Sequence, residues 1–400
     1  MGRFLFVVPP FTGHVNPTIG VAAELAARGH EVAWTGLPGP LERMLPPGAH
    51  FIPAATQEYA AEVATRTERR PDVRGAAAYK FLTEQVLTPM CHAMVDGVDA
   101  AVESFGADVL ISDQQTWAGA LVGRRRQMPW ATSATTSAEI VDPLSGLPKV
   151  AESMHRARVD LQLQYGVPPE LAERGDLRLS EHLILAYTSR ALVGEGLEDV
   201  TGGAPVAFVG PSALGRPEVD DFDWDLVDPD KPLVLVSLGT LNASAGERFW
   251  QVAAEAFAGT GWQGIFVTSS EFVPDPPPNV LVRSWVPQLA VLRRAAAVVS
   301  HGGHNTVCES LAVGLPLVVA PIRDDQPVVA DQVVRAGAGV RVKFARVRAE
   351  GLRSAIEQAL SEEDLRTSAR RMASDLASCG GAGAAADALA GLLVGTLSDV

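Results

Sequence analysis

Short runs of apolar, often β-branched residues recur along almost the whole chain, each separated from the next by a longer amphipathic stretch. This rhythm constrains the fold more than any other feature. "RFLFVVPP" reads as a buried strand, "PTIGVAAELAARG" as a helix with Pro17 in its first turn and Gly29 at its C-terminal cap, and "HEVAWTG" as the next strand. Strand, loop, helix, strand is the opening of a parallel sheet. Further strands are expected at "ADVLIS", "PWATSA", "HLILAYT" and "VAFVGP", with more irregular, helix-like patterns over 53–102 and 140–173. Residues 212–232, "SALGRPEVDDFDWDLVDPDKP", break the rhythm with proline and acid, as a linker does. A second series then runs through "LVLVSLGT", "QGIFVT", "VLVRSWV", "AAVVSHGG" and "LPLVVAP", with helical stretches such as "GERFWQVAAEAFAG" between. The expected class is α/β: two Rossmann-like, doubly wound parallel-sheet domains facing across a cleft. The first spans 1–211, the linker 212–231 and the second 232–383, and a last helix, 384–400, packs back on the first domain. At 400 residues and 47% hydrophobic content the chain can fill two cores.

The charge balance excludes one class of partner. With 33 Lys and Arg against 47 Asp and Glu, a net -14, the chain has no basic excess to neutralise nucleic-acid phosphates. Cys91, Cys308 and Cys379 are too far apart in sequence to suggest a disulfide framework or a metal-ligand pair, which fits a reducing compartment. "MGRFLFVVPP" is shorter than a secretory signal, and "ALAGLLVGTL" is roughly half of the ~20 residues a membrane span needs. A cytoplasmic location without a membrane span is expected. The acid clusters "DDFDWD" and "DPDKP" read as solvated linker, so no metal site is expected.

The chemistry concentrates around "SHGGHNTVCESLAVG", where a buried strand ends at Ser300, glycines permit a tight turn, and Asn305 or Thr306 can cap a helix. A helix start at the carboxyl end of a parallel strand offers free N–H groups to an anion, and His301 can add a donor. Thr306 and Glu309 also have the spacing of a capping box. Glu309 therefore has two readings, helix cap or acceptor of ribose hydroxyls. Upstream, the indole of Trp285 offers a surface for a base; downstream, "PIRDDQPVVADQ" brings an acid and an amide to the next strand end, where a sugar could be held. In the first half, "PPFTGHVNP" puts His14 in the loop after the first strand, at the sheet edge where open α/β folds bind ligands. A neutral imidazole suits proton abstraction near neutral pH. Asp113, ending "ADVLIS", could orient it and stabilise its cation.

The ordered run W-V-P-Q, H-G-G-x-N-T-x-x-E-S-L, G-x-P and D-Q, from Trp285 to Gln326, resembles the nucleotide-sugar signature of the family-one GT-B glycosyltransferases, which include plant secondary-metabolite and bacterial macrolide enzymes. "PPFTGHVNP", "GHEV", "SDQQ" and "SLGT" look like the same family, so the resemblance spans nearly the whole chain. It implies that Trp285 stacks on the nucleobase, with the main chain at Val286 reading its edge and Gln288 near the ribose. His301, Gly303, Asn305 and Thr306 would hold the diphosphate, Glu309 the ribose hydroxyls, and Ser237 and Thr240 would close over the phosphates. Asp325 and Gln326 would bind the transferred sugar, and His14 with Asp113 would form the catalytic dyad. Where the family often continues D-Q-P-x-N-A, this chain has "DQPVVA", with Val329 in place of asparagine and a second Asp-Gln at 331 and 332.

The implied reaction is metal-independent, inverting transfer of a sugar from a UDP- or TDP-sugar, a co-substrate rather than a cofactor, to a hydroxyl of a lipophilic aglycone. Tyr59, Tyr79, Phe81, Met90 and Trp117, with the stretch from Thr135 to Met154, are expected to line the acceptor pocket. High Ala, Gly, Arg and Pro content fits a high-GC bacterial source and antibiotic biosynthesis. A nicotinamide oxidoreductase is disfavoured because no G-x-G-x-x-G follows a predicted strand. A sugar-nucleotide epimerase of the same architecture and a non-catalytic nucleotide-sugar-binding protein remain as alternatives, and a homodimer is left open.

Overall fold

In a computed structural model, described for residues 1–68, 76–141, 147–195, 197–212, 220–239 and 246–395, the chain forms two compact units. The first comprises Met1–Tyr187, Glu195–Gly215 and Gly380–Val400; the second comprises Thr188–Gly194 and Arg216–Cys379.

The first unit is built on a seven-stranded, wholly parallel sheet. In chain order its strands are β1 (Arg3–Val7), β2 (Glu31–Gly36), β3 (Phe51–Pro53), β4 (Val109–Asp113), β5 (Trp130–Ala134), β6 (Leu183–Ala186) and β7 (Val206–Phe208). They lie side by side as β3-β2-β1-β4-β5-β6-β7. Alternate side chains of β1 serve opposite faces, as the two-residue period of a strand requires. Leu5 and Val7 pack with Met94 and Val98 of the Thr88–Phe105 helix, whereas Phe4 and Phe6 pack with Val15, Val21 and Leu25 of the Thr12–Ala27 helix. Both faces are covered, which is why the strands read as continuous apolar runs. The second face is completed by Ala385, Ala386 and Leu389 of the final helix, Gly381–Gly395.

Eighteen-residue windows within Glu363–Val394 are apolar enough to cross a membrane by composition and length. The backbone turns within that stretch, however, with positive φ at Gly380 (82°) and Gly381 (61°), and splits it into the helices Glu363–Ser378 and Gly381–Gly395.

The second unit carries a six-stranded parallel sheet of β8 (Leu233–Ser237), β9 (Gln263–Val267), β10 (Val280–Arg283), β11 (Ala297–Ser300), β12 (Leu317–Val319) and β13 (Gly339–Arg341), in the order β10-β9-β8-β11-β12-β13. Val234, Val236, Val299 and Val318 meet Phe249, Trp250 and Ala253 of the Glu247–Phe257 helix in its core.

Both sheets are doubly wound. In each, strand order reverses at one point, between β1 and β4 in the first and between β8 and β11 in the second. Ligands of open α/β sheets bind beyond the carboxyl ends of the strands at such reversals.

Two expectations are corrected. The first helix begins at Thr12, five residues before Pro17, which lies inside the helix. His14 is therefore in a helical first turn and not in a loop. The C-terminal end of this helix agrees with the sequence: Gly29 has φ 83°, and the N–H of His30 reaches back to the carbonyl of Leu25. The helix after β11 runs His304–Ala312 with Gly303 as its N-cap, so Thr306 is already inside it and no capping box forms with Glu309.

Candidate active site

At the first reversal, the register aligns Val7 of β1 with Ser112 of β4, so the segment leaving β1 and the end of β4 are neighbours. Phe11 is extended (φ -120°, ψ 126°) and starts the helix that carries His14. Asp113, the last residue of β4, is fully buried. Its Oδ1 and Oδ2 lie 3.0 and 2.9 Å from Nδ1 of His14, whose side chain is 17% exposed. The carboxylate also accepts the Gln115 N–H at 2.8 Å and the Thr135 hydroxyl at 3.2 Å. A carboxylate so surrounded by donors receives the hydrogen of Nδ1, which leaves Nε2 as the basic nitrogen. The ring of Phe11 stands edge-on to the imidazole at 5.7 Å.

The structure distributes the expected acceptor wall differently. Met90 and Trp117, 1% and 2% exposed, belong to the first core and offer no surface to a ligand. Tyr59 and Phe81 are partly buried against the same core. Tyr79 joins a charged cluster: its hydroxyl accepts from Arg178 at 3.2 Å, and Arg178 also pairs with Glu139 at 2.8 Å and Asp176 at 2.7 Å. Burial and the Glu139 charge push the Tyr79 phenol up to about 12. Burial works against an ionised Asp176, but the charges of Arg178 and Arg158 hold its carboxyl well below the usual range. Sequence patterning makes this part of the unit look apolar, because residues spaced from 79 to 178 give no local sign that they meet.

At the second reversal, Ser300 of β11 aligns with Ser237 of β8. Beyond them the chain turns at Gly239 (φ 73°) and Gly302 (φ 86°), conformations that exclude most side chains. The imidazole of His301 lies against both glycine turns: a Cβ on Gly239 would stand 2.7 Å from its Cε1, and one on Gly303 2.5 Å from its Nε2. The residue is 8% exposed, and its Nδ1 has no hydrogen-bond partner among the described residues. Burial pushes its pKa down to about 4, against an opposing hydrogen bond to the Ser237 backbone. The other histidine of the motif, His304, is the first residue of the helix and is buried, with Nε2 3.5 Å from Cys308 Sγ.

Asn305 and Thr306 lie half-buried in the first turn of the His304–Ala312 helix. Glu309, one turn further and buried, accepts from Nε2 of Gln288 at 2.6 Å. That bond joins two residues expected near the ribose and gives Glu309 a partner other than the helix start. Val286 is buried, and Trp285 is 62% exposed. Asp325 is the N-cap residue of the Gln326–Arg335 helix, after Asp324 with φ 59°. Gln326 spends its Oε1 on the loop, accepting from the N–H groups of Ile322 (2.9 Å) and Arg323 (3.1 Å). Val329 is fully buried, so at the position where the motif often has asparagine this chain packs its core. Thr240 lies outside the described residues. Among the described residues no three His, Cys, Asp or Glu side chains cluster as metal ligands would.

The family model for UDP-glucoronosyl and UDP-glucosyl transferases matches residues 213–375. Over 98% of this chain and 99% of its own length, 4'-demethylrebeccamycin synthase of Lentzea aerocolonigenes is 30% identical. The chain belongs to this glycosyltransferase family. A UDP-glucosyltransferase named YojK, uncharacterized, from Bacillus subtilis (strain 168), is 28% identical over 97% of both chains. Among solved structures, CalG4, the calicheamicin glycosyltransferase, superposes with a TM-score of 0.78 at 26% identity, covering 100% of both chains. The enzyme is thus a glycosyltransferase with the GT-B fold, as the Trp285–Gln326 run implied.

Two neighbours of the His14–Asp113 pair have places that the sequence reading did not give them, Thr135 having been expected in the acceptor wall. Thr135, just past β5, touches both His14 and Asp113. Gln114 is buried beside Asp113 with neither side-chain polar atom partnered among the described residues. A polar residue at a strand end next to the reversal was the available signal for both, as it was for Asp113.

Proposed function

We propose that the enzyme transfers a sugar, with inversion, from a TDP- or UDP-sugar to a hydroxyl group of a lipophilic natural-product aglycone, and that His14 is the general base. The hydrogen-bonded pair of His14 and Asp113 at the reversal of the first sheet carries this reading. Asp113 keeps the hydrogen on Nδ1, so Nε2 can take the acceptor's proton as its oxygen attacks the anomeric carbon. The bond from that carbon to the diphosphate breaks in the same displacement, and the nucleoside diphosphate departs with the electron pair. Negative charge then grows on the leaving oxygens. The start of the His304–Ala312 helix, with the glycine turns around His301, suits that charge without a metal ion.

The exposed indole of Trp285 suits stacking with uracil or thymine, and Glu309 with Gln288 suits the ribose. Asp325 and the remaining amide hydrogens of Gln326 would hold the sugar. Relatives named for rebeccamycin and calicheamicin support a natural-product aglycone. A binding protein has no use for the dyad, and an epimerase needs no acceptor. With a panel of TDP- and UDP-sugars and aglycones, nucleoside diphosphate should be released in step with glycoside, only when an acceptor is present and equally in chelator. Sugar-nucleotide turnover without acceptor would contradict the proposal.

A further inference from the structure

The His14–Asp113 pair has a third member. Thr135 lies just after β5, two residues beyond Ser133, the register partner of Asp113 on the neighbouring strand. Its side chain is buried, with Oγ1 2.9 Å from His14 Nδ1 and 3.2 Å from Asp113 Oδ2. Three polar groups thus meet at one point, with one hydroxyl hydrogen and one ring hydrogen to distribute among them.

Of the two distributions, one sets no lone pair against another among these three groups. If Thr135 turned its hydrogen toward Nδ1, that nitrogen would present no hydrogen, its lone pair would abut the carboxylate, and the ring hydrogen would sit on Nε2, where a base needs a lone pair. If Thr135 donates to Asp113 Oδ2, Nδ1–H is shared between the carboxylate and the threonine oxygen, and the neutral ring carries its lone pair on Nε2. Resting on the assignment of His14 as base, we propose that Thr135 is a positioning residue: its hydroxyl donates to Asp113 and withdraws part of the carboxylate's charge from the imidazole, while its oxygen shares Nδ1–H and orients the ring. The hydroxyl competes with Nδ1–H for the same oxygen, so it moderates how strongly Asp113 favours the protonated ring.

Among the described residues, a further titratable side chain near this point is Tyr187, whose hydroxyl accepts from Ser133 at 3.3 Å. Burial, with a smaller contribution from the Asp113 charge, drives the phenol far above its ordinary range, so it stays neutral while His14 titrates.

Thr135→Val keeps the branched shape and removes the donor; Thr135→Ser keeps the donor. Histidine-ring NMR, with the His14 signal assigned by its loss in His14→Gln, should show the imidazole of Thr135→Val titrating about half a unit to one unit higher than in the parent, because more carboxylate charge reaches it. The acid limb of the kcat/KM profile should move by the same amount. The kcat should fall about tenfold, a part of the 10²–10⁴ that a positioned base contributes, and Thr135→Ser should restore both. Thr135→Ala carries the same comparison if valine impairs folding. A His14 titration and a pH profile unchanged in both the valine and alanine variants would overturn the proposal. A shifted titration with an unmoved pH profile would uphold the contact and instead remove His14 from its role as base.

Discussion

His301 shows how burial decides what a histidine can do. Its pKa lies near 4 in the folded enzyme against 6.5 for a free imidazole, so between these values the unfolded chain binds a proton that the folded chain refuses. Stability tied to His301 is complete above about pH 6.5 and is lost as pH falls toward 4, by about 3 kcal/mol over the window. Denaturant unfolding from pH 7 to 4 should therefore show a slope that His301→Gln flattens; equal slopes in both proteins would mean that the imidazole is not held neutral. The same burial suits the residue to an anion site, since a neutral ring with Nδ1 unpartnered among the described residues has its polar atom uncommitted to them. Glu309 illustrates the converse: its spacing from Thr306 matched a capping box, but the helix starts at His304, which left its carboxylate to Gln288.

At the scale of elements, the turn after β11 and the turn after β8 depend on each other through the His301 ring. Gly303 has an ordinary backbone conformation (φ -62°), so alanine there meets no backbone penalty. Its Cβ would nevertheless stand 2.5 Å from His301 Nε2, and the ring would have to move. Gly303→Ala should weaken nucleoside-diphosphate affinity by about tenfold, equivalent to about 1.4 kcal/mol. Gly261→Ala, at a site with no heavy atom within 4 Å, should leave it unchanged. Isothermal titration with UDP and TDP checks both, and equal affinities in the two variants would contradict the cradle. Most strands were legible in the sequence because buried parallel strands are continuous apolar runs, as in β1, β8 and β11. The strands missed, β3 and β13, are edge strands poor in aliphatic residues: β3 ends in Pro53, and β13 has Val340 alone between Gly339 and Arg341. The start of the first helix was missed for another reason. Proline prefers a first turn, which pointed to Pro17, but the extended Phe11 after two prolines sets the start earlier.

At the scale of the whole molecule, the chain builds two sheets of similar winding and puts different chemistry at the reversal of each. The first sheet holds a histidine paired to a buried acid; the second holds glycine turns, a helix start and a buried histidine. The positions of His14, Asp113 and His301 at strand ends were legible because they sit in short ordered motifs. The charged cluster was not, since Tyr79, Glu139, Asp176 and Arg178 meet only through tertiary packing. If His14 is the base and the second sheet holds the donor, as proposed, proton removal should fail without loss of donor binding. The most direct test is His14→Ala, assayed for glycoside formation and, by titration, for donor affinity. Turnover should fall by about 10²–10⁴ with nucleotide-sugar affinity within about threefold of the parent. Near-normal turnover in that variant, with donor and acceptor saturating, would contradict it.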